Sequence, residues 1–158
     1  MIERKRIVLI TVVVALFAVA AGAAASSVAA QDATVETGDV SISNVGDTGE
    51  SAVTVDGNNG VSIAQVNISV DTTVAEINSV SAGADVDPTQ PATNFDVIDQ
   101  TSDSARVELS NLQGITGQDI EIAVVDLEAT SESDTPVELE VDELRDANAA
   151  EYNNINVV

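Results

Sequence analysis

The chain has 158 residues, with 27 acidic against five basic, no cysteine, no histidine and a net charge of −22. Phosphate recognition needs lysine and arginine, so nucleic acid is excluded as a partner. The missing Cys and His exclude most zinc sites, thiol nucleophiles and Ser-His-Asp triads, and leave stability to packing rather than disulfides.

The chain opens with a basic cluster, Arg4, Lys5 and Arg6, and then carries no charge from Ile7 to Ala30. Ile7 to Ala21 is apolar apart from Thr11, and small residues follow, ending in Val28-Ala29-Ala30. A basic start, an apolar middle and a small-x-small ending describe a signal peptide, with Ala30 as the cleavage candidate. The same stretch is also long enough for an uncleaved N-terminal membrane anchor helix, which needs roughly 20 residues. Residues 7–30 are then the only expected membrane contact. Either way the basic residues stay in the cytoplasm and the remainder is extracellular, secreted or tethered to the outer face of the membrane. Beyond Ala30, 26 acidic residues face only Arg106 and Arg145, a net −24. Such a domain repels itself at low salt, and about 1 M salt screens that repulsion to within about 3 Å. Dispersed charge and recurrent Val and Ile argue for a folded domain rather than disorder.

Residues 31–39 read as a short polar linker. Val40 and Ile42 alternate with Ser41 and Ser43 as a first short strand, and Gly46-Asp47-Thr48-Gly49 marks a turn. Ala52 to Val55 is a second strand. Asp56-Gly57-Asn58-Asn59-Gly60 is the strongest turn signal. Ala64, Val66, Ile68 and Val70 then place one apolar face on a strand, with Gln65, Asn67 and Ser69 opposite. Asp71-Thr72-Thr73 turns into a strand over Ala75 to Val80, and Ser81 to Asn94 is a loop broken by Gly83, Pro88 and Pro91. Further strands are expected at Phe95–Ile98, Arg106–Leu109, Ile120–Ala129, Val137–Val141 and Ile155–Val158. The Ile120 run needs a bulge between Val124 and Leu127. Glu143 to Tyr152 has room for one helical turn. The whole is all-β, about nine short strands in a sandwich over residues 40–158.

Four residues are weak calcium candidates: Asp56 and Asn58 in one turn, Asp85 and Asp87 in the Pro-rich loop. They supply the hard oxygens that calcium takes, without full ligand spacing. No other cofactor is indicated. Asn67-Ile68-Ser69 is a glycosylation sequon, with Asn67 on the polar side of its strand. Carboxylate pairs such as Glu138 with Glu140 are too common among 26 acids to mark a glycosidase, and only Phe95 and Tyr152 are available as sugar platforms. The domain is therefore read as not an enzyme. Arg106 and Arg145 are expected in surface ion pairs of small energy.

The composition resembles that of secreted haloarchaeal proteins. The order of landmarks resembles cohesin domains. Gly60 to Asp71 is similar to their early strand, Val74 to Gly83 to the segment that follows, and Ile120–Ala129, Asp134–Leu139 and Leu144–Asn148 to their C-terminal half. The pattern departs at Val66, Val70 and Thr72, and at Ala149, where the family usually has Gly. The resemblance implies a nine-stranded jelly-roll β-sandwich that works by binding a dockerin-like module, in attachment at the cell surface or to polysaccharide. Two other readings stay open: a structural subunit of a surface filament or envelope layer built by strand addition, and a carbohydrate-binding module. The chain has no D-x-[DN]-x-[DN]-G calcium loop of its own.

Overall fold

A computed structural model describes residues 31–38, 40, 44–132 and 137–158. The expected leader with its cleavage candidate Ala30, and the Ser41–Ser43 part of the expected first strand, lie outside the described residues.

Nine strands are described: β1 Asp32–Thr37, β2 Thr48–Gly57, β3 Val61–Ser69, β4 Ala75–Ala82, β5 Thr93–Ile98, β6 Ser104–Ile115, β7 Ile120–Ala129, β8 Glu138–Arg145 and β9 Asn154–Val157. They form a five-stranded sheet, β4-β7-β2-β1-β9, and a four-stranded sheet, β5-β6-β3-β8. All pairs are antiparallel except β1 with β9. The turn between β2 and β3, which do not pair, passes the chain from one sheet to the other. The inner faces meet over a core of small aliphatic side chains, among them Val35, Val53, Val55, Val66, Ile68, Val107, Leu109, Ile122, Val125 and Leu127. Val dominates because β-branched side chains fit a pleated, half-buried surface.

The polar linker expected at 31–39 is instead β1. Val35 and Ala33 are buried, and β1 hydrogen-bonds to β2 on one side and β9 on the other. Two inward residues among polar ones suffice because the partners supply the backbone bonds. Thr48 and Gly49, expected in a turn, begin β2 and pair with β7. The Glu143–Tyr152 turn is not helical: β8 runs to Arg145, and a looped segment follows it.

The pairing has four register shifts: one where Val61 and Ile63 of β3 meet Ile115 and Ser110 of β6, and three single-residue bulges that set the facing of their strands. In β7 the extra residue is Ile122, so Ile122 and Ala123 are both buried and Val124 faces outward. The expected bulge therefore exists but falls earlier. In β8 the extra residue is Asp142, and Asp142 and Glu143 both leave the inner face. In β4 it is Asn78. Each reverses the side-chain phase for the rest of its strand.

Tyr152 closes the β2–β3 end. It is buried, and its hydroxyl donates to the Gly60 carbonyl at 2.7 Å. A Cβ at Gly57 would collide with the Tyr152 ring, and Gly60 holds φ +73°. Both positions therefore need glycine. Burial, with the charges of Asp146 and Asp56, pushes the phenol up from its ordinary value.

Candidate functional site

The outer face of the four-stranded sheet holds both arginines of the described residues. On β6, Arg106 is opposite Asn67 of β3. Its Nε donates to Glu108 at 3.1 Å, one Nη to Asp142 at 2.9 Å and the other to Gln65 Oε1 at 2.9 Å. One guanidinium thus ties β3, β6 and β8 together. Asn67 Nδ2 also donates to Asp142, at 3.1 Å. Asp142 reaches both groups because the bulge turns it outward. On β8, Arg145 pairs with Glu143 at 2.5 Å and Glu151 at 3.4 Å. The Glu143 hydrogen bond, with the charges of Glu143 and Glu151, pushes its affinity for the proton up. These side chains are about one-third exposed (Glu151 more so), so each pair adds little stability on its own. Their effect is to hold the polar groups of this face in place.

Between the pairs is a depression of about 200 Å³ lined by Ile63, Gln65, Asn94, Glu108, Leu109, Ser110 and Glu143. That is below the roughly 300 Å³ of small-ligand pockets. The surface suits a broad contact better than a small molecule. By contrast, the outward residues of the five-stranded sheet include Glu36, Glu50, Thr54, Glu76, Asp126 and Glu128, with no cation among the described ones.

The calcium candidates do not converge. Asp56 lies at the end of β2 and Asn58 in the turn that leads to β3. Asp85 and Asp87 lie in the β4–β5 connection, where they serve local structure. Asp85 accepts from the Glu121 amide at 2.9 Å. Asp87 accepts from the Thr89 hydroxyl at 2.6 Å and amide at 2.9 Å, and these bonds hold its carboxyl below the ordinary range. Among the described residues no group of three or more acidic side chains is placed to hold a metal. Asn67 lies outward on β3, as the alternation implied, and is partly exposed. The two aromatic candidates face inward: Tyr152 is buried and Phe95 packs against the core. Neither offers a platform to a sugar.

Asp146 is a feature that the sequence did not reveal. It is buried at the end of β8. Its Oδ1 accepts from the amides of Asn148 at 2.9 Å and Ala150 at 2.8 Å, and Oδ2 from Gln31 Nε2 at 3.0 Å. Ser62 donates to its carbonyl at 2.5 Å. Burial pushes the carboxyl up, but these donors outweigh it and hold it below the ordinary range. The residue fastens the β8–β9 loop against β3 and the start of β1, beside the arginine face.

No family model and no curated protein matches the sequence. Solved structures do. A non-cellulosomal cohesin from the hyperthermophilic archaeon Archaeoglobus fulgidus matches with a TM-score of 0.64 at 18% identity, over 80% of this chain and 86% of that one. A chain of a type I cohesin–dockerin complex from Clostridium thermocellum matches at 0.60 and 20% identity, over 87% and 94%. A type II cohesin domain from the cellulosome of Acetivibrio cellulolyticus matches at 0.65 and 13%, over 80% and 91%. The chain has the cohesin fold. At these identities the likeness concerns backbone architecture, and the cohesin fold here carries an acidic surface with two clamped arginines. The departure at Ala149 has a structural counterpart: its φ is +62°, a conformation that glycine adopts without strain.

Proposed function

We propose that this cohesin-fold domain is a non-catalytic protein-binding module, displayed outside the cell, whose binding face is the outer surface of the four-stranded sheet. The observation that carries this reading is the placement of Arg106 and Arg145, the two cations beyond the leader, both on that face and both held by carboxylates. Arg is enriched in the energetic centres of interfaces, and a pre-ordered one loses little freedom on binding. The fold supports the choice of partner, because several chains of similar fold were solved with dockerins. A dockerin-like module is accordingly the proposed partner. Attachment to polysaccharide would then be indirect, through what the partner carries. Display outside the cell follows from the basic cluster at 4–6 and the uncharged segment 7–30. The acidity is read as adaptation to salt.

The test is capture from culture medium in concentrated salt, with the full chain as bait. The expected catch is a protein with paired calcium loops, released by a chelator. Ser110→Arg, on the proposed face, should abolish capture. Thr54→Arg, on the other sheet, should not. Capture that survives Ser110→Arg but fails with Thr54→Arg would move the site to the opposite sheet. Chelator-insensitive binding to insoluble polysaccharide alone would favour a carbohydrate-binding module. The intact mass of the natural protein tests the remaining proposals: loss of residues 1–30 and a glycan on Asn67.

A further inference from the structure

The two sheets expose four edge strands, β4, β9, β5 and β8. Three carry carboxylates: Glu76 on β4, Asp96 on β5, and Glu138, Glu140 and Asp142 on β8. β4 and β8 are also bulged. Charges and bulges are the usual protection of an edge against pairing with another chain. β9 has neither. The side chains of Asn154, Ile155, Asn156 and Val157 are uncharged, as are those of Tyr152, Asn153 and Val158 around it. In a domain of net −24 this edge is an exception. It also gathers exposed apolar side chains: Ile155, Val157 and Val158 are three of the five large exposed hydrophobics among the described residues.

The backbone is set for pairing. The amides of Asn154 and Val158 point to β1, donating to Gln31 and Val35. Backbone groups alternate along a strand, so those of Ile155 and Val157 point to the open edge. Both side chains lie on the same side as Ala33 and Val35, their register partners on β1.

We infer that β9 pairs antiparallel with β9 of a second copy, about a two-fold axis at Asn156. In that register Ile155 of each copy faces Val157 of the other, and their outward amides and carbonyls satisfy one another. The two five-stranded sheets become one continuous sheet, and Ile155 and Val157 of both copies form one apolar cluster. A copy of this chain is the fitting occupant on charge grounds. A partner with basic groups finds nothing to pair with on β9, whereas every other edge sets carboxylates against carboxylates when two copies meet. The residual repulsion comes from the β8 edges nearby and is long-ranged only at low salt. Four residues a side make an interface smaller than the roughly 1,200 Å² of stable complexes, so the dimer is weak and depends on concentration. The two-fold axis runs perpendicular to the sheet. Both four-stranded faces therefore point the same way, and the dimer presents two copies of that face. The pairing itself does not depend on what the face binds.

The chain lacks cysteine, so one introduced thiol reports on one site. At the two-fold axis Asn156 forms a non-hydrogen-bonded pair with its copy, with Cα atoms about 4.5 Å apart, close enough for a disulfide. Full-length Asn156→Cys is oxidised at about 0.01 M and about 1 M salt, where screening lengths are about 30 and 3 Å. The expected result is a disulfide-linked dimer that grows with salt. Ser79→Cys, on the charged and bulged β4 edge, should stay monomeric. Adding Val157→Pro to Asn156→Cys removes an outward amide but no bond to β1, and the dimer should be lost. Sedimentation of the cysteine-free parent should shift from one chain mass toward two as salt and concentration rise. A monomer in every condition, equal cross-linking of Ser79→Cys, persistence of the dimer with Val157→Pro, or a disulfide to a different protein would each overturn the inference.

Discussion

Replacing Ala149 by glycine should stabilise the domain. Ala149 has φ +62°, and the loop around it is closed at both ends: the Ala149 amide donates to the Asp146 carbonyl at 2.9 Å, and the Asp146 amide to the Ala150 carbonyl at 2.9 Å. The residue cannot relax without breaking these bonds. Two other non-glycine residues share the left-handed region, Asp99 and Asp119, but Asp tolerates it through local hydrogen bonding. An alanine there costs about 1–2 kcal/mol. Glycine returns about 0.4–1 kcal/mol of this through its greater freedom in the unfolded chain. The net gain is about 0.5–1 kcal/mol, or about 3 °C in Tm for a domain of this size. The side chain is exposed, so no packing is lost. Thermal unfolding in concentrated salt measures it. Ala150→Gly, one residue on and at negative φ, is the control and should lose about 0.5–1 kcal/mol. A Tm for Ala149→Gly at or below the parent's would refute the reasoning, as would equal shifts for both variants.

Four other outcomes follow from the same structure. Asp146→Ala strips the acceptor from two loop amides and from Gln31, and about 3 kcal/mol should be lost in a denaturant titration, with m unchanged. Because the Asp146 carboxyl is held below its ordinary value, its contribution is complete above the unfolded value of about 4 and disappears as pH falls through the lower folded value. Comparing parent and Asp146→Asn from pH 7 downward in high salt should therefore show a stability gap that closes in acid; a gap constant with pH would contradict the assignment. Tyr152→Phe keeps the packing but leaves the Gly60 carbonyl without its donor, a loss of about 1–2 kcal/mol that chemical denaturation would show. Lowering salt from about 1 M to about 0.01 M lengthens the screening distance tenfold, and the unfolding midpoint should fall steadily across that range. A midpoint independent of salt would show that the net charge is not what limits the fold.

The all-β class, the strand at Ala64 to Ser69 and a turn at Asn58-Asn59 were determined by the sequence alone, although Asp56 and Gly57, expected in that turn, still belong to β2. Alternation with period two and turn chemistry are local properties, and here they agree with one another. The resemblance to cohesins was legible in the order of such landmarks, and the fold matches it. β1 was not legible, since Ala33 and Val35 make too short an apolar pattern. It is a strand because β2 and β9 lie on either side to bond it. The bulge residues Ile122 and Asp142 were also hidden. A bulge is an offset between two strands, and one strand read alone shows only a break in phase. That offset decides the arginine face, where Asp142 meets Arg106 and Asn67 from a strand more than 30 residues away in sequence. Likewise the charge-free edge could be read only after β9 was placed outside β1. Sequence lists which residues are uncharged, but only the sheet order says which of them form an edge.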